Sequence, residues 1–168
     1  MPIPALVVTL SILSPTTDVR PALFELLGAL EQAGLDCSRS SPEGYARWCE
    51  QIRYPAPSVK VGLGCDGDLV TNIQLQLTPV SDQAIVHAPK EMLAVADVLS
   101  SRLPQPITGW VAECVASGGD PAAKPDRLTI DRMTLACTGS AMSPGISLHF
   151  LREDGSHYQE PEKCRLPE

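Results

Sequence analysis

The chain's 168 residues suit one domain, or two small fused halves sharing a core. Hydrophobic residues make up 43%, but aromatics only 4%, with 16 prolines and 12 glycines. The expected core is therefore built from small side chains, and covalent staples have more to contribute. The formal charge of −7, with no two basic residues adjacent, excludes the concentrated positive surface that nucleic acid or an anionic membrane requires.

Residues 1–16 include the apolar run Ala5 to Leu13, too short to span a bilayer. Its readings are a remnant of a signal or membrane segment, a first β-strand, or a start inside a longer precursor. Thr17 or Asp18 as cap and Pro21 in the first turn open a helix whose stripe is Leu23, Leu26, Leu27, Leu30 and Ala33, and Gly34 ends it. Cys37, a polar loop and the β-like run Tyr45–Cys49 then read as a hairpin closed by its own two cysteines. Val59, Val61 and Leu63 alternate with Lys60, Gly62 and Gly64, and the turn Asp66-Gly67 leads to Ile73–Leu77, a strong antiparallel hairpin pattern.

A linker over residues 80–89 separates this first unit, residues 17–79, from a second over 90–168. In the second, Met92, Val95, Ala96, Leu99 and Leu103 recur at helical spacing before Pro104. Trp110–Val115 and Leu128–Cys137 read as strands. Ile146, Leu148 and Phe150 form another, with a turn at Asp154-Gly155.

Both units follow the order helix, cysteine, loop, cysteine, alternating strand, Asp-Gly turn. The step from Cys49 to Asp66 is 17 positions, and so is that from Cys137 to Asp154. The fold class expected is α+β, two tandem helix-on-antiparallel-sheet repeats, each sheet leaving one face free. The six cysteines are Cys37, Cys49, Cys65, Cys114, Cys137 and Cys164, none in a Cys-x-x-Cys pair, which favours bridges in an oxidising, extracytoplasmic compartment. The repeat pairs Cys37 with Cys49 and Cys114 with Cys137, leaving Cys65 and Cys164. A competing register pairs Cys49 with Cys65 and Cys37 with Cys164.

This layout resembles the β-lactamase inhibitory protein family, secreted tandem modules whose halves each pack helical residues on an antiparallel sheet and carry a disulfide. The resemblance rests on total length, element order and the Cys37–Cys49 and Cys114–Cys137 loops, and covers about Pro21 to Gly155. It implies an architecture and assigns no functional residue.

No phosphate-binding Gly-rich loop, Gly-x-Ser-x-Gly elbow or His-Glu-x-x-His is present, so no cofactor and no metal are expected. Of three histidines, His149 lies on the Ser147 side of its strand and reads as solvent-facing, His87 falls in the linker, and His157 has no compact ligand set around it. Asp66, Asp68, Glu153 and Asp154 read as turn residues rather than a calcium loop. Trp48 and Trp110 precede cysteines and read as covers over disulfides, with a binding hot spot as the alternative. Tyr45, Arg47 and Tyr54 flank the first bridge with an interface-like composition and are the candidate binding residues. The expected function is an exported, non-catalytic binding module for a protein or other ligand, with inhibitor-like action among its readings. The alternatives are a sensor or accessory domain of a membrane-anchored protein and, third, a small hydrolase using His149.

Overall fold

The computed structural model describes residues 18–44, 46–51, 58–78, 88–117, 127–140, 143–158 and 163–166. Helix α1 (Leu23–Gln32) is followed by β1 (Asp36–Ser40), β2 (Ala46–Gln51), β3 (Ser58–Asp66) and β4 (Leu69–Thr78). Helices α2 (Ala88–Ser100) and α3 (Thr108–Ala116) come next, then β5 (Leu128–Ile130), β6 (Met133–Ser140) and β7 (Ser143–Phe150). The fold is α+β, as expected, with seven strands in one antiparallel sheet of order β1-β2-β3-β4-β7-β6-β5.

Leu23, Leu26, Leu27 and Leu30 of α1 are buried in the same core as Met92, Val95, Ala96 and Leu99 of α2 and Val111 of α3. The inward-facing residues of the strands, such as Val59, Val61, Leu75, Leu148 and Leu135, complete that core. One face of the sheet carries all this apolar surface, and the alternate positions form the other face. A bulge between Gly64 and Cys65 sets Cys65 against Val70, so both of these side chains turn into the core at the end of the hairpin.

The start of α1 is not capped as the sequence suggests. Its N-cap is Ala22, with no side-chain hydrogen bond. The first amide is satisfied from across the fold, Leu23 N–H donating to the Asp68 carbonyl at 2.8 Å, which leaves Asp18 to pair with Arg20. The end of α1 does follow the sequence. Gly34, at φ 89°, lets Leu35 N–H reach the Leu30 carbonyl (3.0 Å) and its own N–H reach Glu31 (2.9 Å), a Schellman closure.

Two further elements differ from expectation. Trp110–Val115 is part of a helix, because Ile107, Val111 and Cys114 lie at spacings that bring one helical face to the core. The strand expected over Leu128–Cys137 is split by a two-residue turn at Asp131 and Arg132, both at positive φ. The segment 1–16, most of the linker, and His87 lie outside the described residues.

The disulfides are Cys37–Cys49, Cys65–Cys164 and Cys114–Cys137, the pairing that the repeat implies. Two tandem repeats are nevertheless not shown. The sheet is continuous rather than two separate sheets, and the bridges are not equivalent: Cys37–Cys49 joins two strands, while Cys114–Cys137 joins α3 to β6. Three disulfides point to an oxidising, extracytoplasmic setting, and no described helix is long and apolar enough to cross a membrane.

Candidate binding face

The helices cover one face of the sheet, and the register of the strands specifies what the other presents. One lateral row runs Trp48, Gly62, Gln74, Ser147, Ala136 from β2 to β6. On one side of it lies Glu50, Lys60, Gln76, Gly145, Thr138, and on the other Ala46, Gly64, Asn72, His149, Thr134. Amides, hydroxyls and glycines dominate, with one exposed indole.

Trp48 is 36% exposed and corrects the expectation that it covers a disulfide. Neighbours along a strand point to opposite faces, so the side chain next to Cys49 cannot pack over the inward Cys49 bridge. The indole instead lies on Gly62, where a Cβ would fall 2.5 Å from its Cζ3. Asn72 covers Gly64 in the same manner. These glycines on outward positions of β3 are the sequence signal for something laid flat on the sheet, since glycine in a strand marks close approach. Trp110 is half-buried on α3 against the core, as a structural residue.

Two depressions flank the indole. One, of about 210 Å³, is lined by Trp48, Gly62, Gly64, Asn72 and Gln74. The other, of about 350 Å³, is lined by Arg39, Trp48, Glu50, Lys60 and Gln76. Glu50 is tied there to Arg39 (3.2 Å), Lys60 (3.6 Å) and the Ser58 hydroxyl (2.9 Å), so its charge is compensated.

Asn72 also borders a third depression of about 480 Å³, lined with Arg127, Thr134, Ala136, Ser147, His149, His157 and Tyr158. His149 shares the outward face with Ser147, as its strand alternation suggests, but it is only half-exposed. The rings of His149 and His157 meet edge to face at 5.7 Å. Burial, then the neighbouring His157 and Arg127, holds the His149 imidazole below its ordinary value.

The rim beside this depression is fixed by Arg20, whose Nη1 lies 2.6 Å from Asp66 and Nη2 2.7 Å from Asp18. Burial opposes the Arg20 charge, but bonds to Asp18 and Asp66 outweigh it and hold the group above its usual range. The same bond to Arg20 holds Asp18 below the usual carboxylate range. Arg20 stacks on the Tyr158 ring at 4.1 Å, and Arg152 approaches that ring at 5.3 Å. Asp154 accepts from Ser156 N–H (2.9 Å) and hydroxyl, a turn role like that expected of it.

Among the sequence's candidate binding residues, Tyr45 and Tyr54 lie outside the described residues. Arg47 pairs with the inward Leu63, so it belongs to the helix side, where its guanidinium donates to the Cys37 carbonyl at 3.2 Å. It braces the β1–β2 hairpin and does not share a face with Trp48. No protein-family model, curated protein or solved structure matches the chain.

Proposed function

We propose that this chain is an exported, non-catalytic binding module that recognises a protein through the open face of its sheet, in the manner of a rigid inhibitor. The observation that carries the reading is the Trp48 indole, exposed and seated on Gly62 toward one side of a sheet face of amides and hydroxyls that no described helix covers. A large amphipathic ring on a rigid strand, with little entropy left to lose, is the composition of an interface hot spot. Lys60, Gln74 and Gln76 around it supply the polar rim that such a site needs. A binding reading is preferred to hydrolysis because the described neighbours of His149 are hydroxyls, amides and cations, with no carboxylate to orient the imidazole as a base.

The finer architecture belongs to the same proposal. The units contribute β1–β4 and β5–β7, and each brings its last strand to the β4–β7 seam, which supports two related halves sharing one continuous binding face.

Affinity capture from the exported proteins of the source organism tests the reading, with the native chain, Trp48→Ala and Phe24→Ala side by side. Phe24 is 52% exposed on α1, away from the open face. A partner held by the native chain and the Phe24 variant but bound at least about tenfold more weakly by Trp48→Ala is expected. Equal retention by Trp48→Ala, or loss in the Phe24 variant alone, overturns it.

A further inference from the structure

The depression between β4, β6, β7 and the C-terminal segment departs from the rest of the molecule in charge. The chain carries 20 acidic against 13 basic residues. Yet the described residues lining this space are Arg127, His149, His157, Tyr158, the Asn72 amide, and the small or hydroxylated Thr134, Ala136 and Ser147, without a carboxylate. At about 480 Å³ it accommodates a short side chain with its hydration. Both imidazoles border the depression, and their rings meet edge to face with centroids 5.7 Å apart.

We infer that this depression is a subsite for a carboxylate side chain of the bound protein, held by Arg127 together with the His149 and His157 imidazoles. This rests on the open face being the binding face, since Asn72 borders both this depression and the one beneath Trp48. A guanidinium presents a planar fork to a carboxylate, and two flanking imidazolium rings supply charge-assisted N–H donors. Empty of an anion, the same three groups repel one another. A bound carboxylate removes that repulsion, so binding and protonation favour each other reciprocally.

The charged surroundings leave this logic intact. Arg127 precedes β5, His149 comes from β7, and His157 follows the β7 turn, while β4 and β6 contribute neutral Asn72 and Thr134. Arg20 and Arg152 stand on the Tyr158 ring, and Asp18 and Asp66, which line the neighbouring depression, are paired to Arg20. Glu153 and Asp154 line the separate depression beyond Tyr158.

The test uses the whole chain and acetate, with acetamide as the neutral isostere, followed through the imidazole resonances by NMR. Acetate is expected to shift the His149 and His157 signals saturably, about threefold more tightly at pH 6 than at pH 8, and to raise the His149 titration by about half a unit. Acetamide should do neither. Arg127→Ala and His149→Gln, each with a native amide spectrum, should lose the response. No saturable shift, equal shifts with acetamide, or full response in Arg127→Ala overturns the subsite. The Trp48→Ala chain separates the two readings: acetate binding retained while partner capture is lost supports both, whereas lost capture with no acetate response in any chain removes the subsite alone.

Discussion

Where glycine leaves a strand bare, a neighbouring ring can lie on the backbone, and Gly62 is that place. A methyl there meets the far edge of the Trp48 indole, which can tilt outward at little cost, so Gly62→Ala should change binding more than stability. In a Trp110→Phe background, the Gly62→Ala chain should melt within about 3 °C of its parent while the Trp48 emission shifts red and partner binding weakens. An unshifted emission would mean that the indole does not rest on Gly62. His149 carries a second residue-level consequence. Its imidazole is disfavoured as a cation in the fold, first by burial, so the unfolded chain takes up the proton first as pH falls below 6.5. The His149 contribution is therefore complete above that value, declines as pH drops through it, and levels once the folded imidazole is also protonated. Urea unfolding of the native chain and His149→Gln between pH 8 and 5 should show a steeper loss for the native chain. The reverse order would contradict the sign of the shift. Trp48 also shows why residues can be legible while their roles are not. Adjacency to Cys49 suggested a cover over sulfur, but strand geometry sends neighbours to opposite faces, and the glycines at 62 and 64 were the better guide.

Two short turns place the same left-handed demand on the backbone and meet it with different residue types. Gly34 at φ 89° closes α1, and a Cβ there meets nothing nearer than Gln51 Nε2 at 3.8 Å, so Gly34→Ala is charged only for left-handed strain, about 1 kcal/mol. Arg132 at φ 64° sits in the β5–β6 turn, where two-residue hairpins favour glycine. Its ion pair with Glu153 is long, at 3.8 Å, and partly exposed. Relief of left-handed strain favours Arg132→Gly by roughly 0.5–1 kcal/mol, less what the contacts of the Arg132 side chain contribute, while Gly34→Ala destabilises, and denaturant midpoints would report the opposed signs. A midpoint lowered in both variants would sink the account of the β5–β6 turn. The difference in legibility at this scale has a physical cause. α1 and the β3–β4 hairpin each carry a period, a stop signal and a turn residue that agree. Trp110–Val115 is a short apolar run whose helical face is defined only by Ile107, before it, and by the core that Val111 and Cys114 meet. The β5–β6 turn was hidden because Asp-Arg is not a residue pair that advertises positive φ.

At the scale of the whole molecule, cysteine spacing conveyed more than strand periodicity. The β1–β2 hairpin brings Cys37 to Cys49 locally, and the repeated order of elements suggested the other two pairs that the structure shows. The seam between β4 and β7 had no such marker, because each strand reads simply as an alternating stretch and their partnership is decided by how the helices share one core. Hence two separate sheets were expected and one continuous sheet is found. The bridges then differ in what they enclose. Cys37–Cys49 spans 12 positions, Cys114–Cys137 spans 23 and Cys65–Cys164 spans 99, so the last alone encloses β4, α2, α3 and the whole β5–β7 meander. In the folded chain its neighbourhood keeps other ties, with Cys164 N–H on the Gly44 carbonyl and Arg165 N–H on that of Gly67, each at 2.8 Å. Its contribution thus falls mainly on the unfolded state, where closing the longer loop should be worth about 2 kcal/mol more than closing the hairpin loop. Urea unfolding of the three double Cys→Ala variants should rank Cys65/Cys164 as the least stable, then Cys114/Cys137, then Cys37/Cys49. If the Cys37/Cys49 variant proves weakest, the hairpin bridge acts by holding native geometry, and chain entropy is not what these cysteines supply.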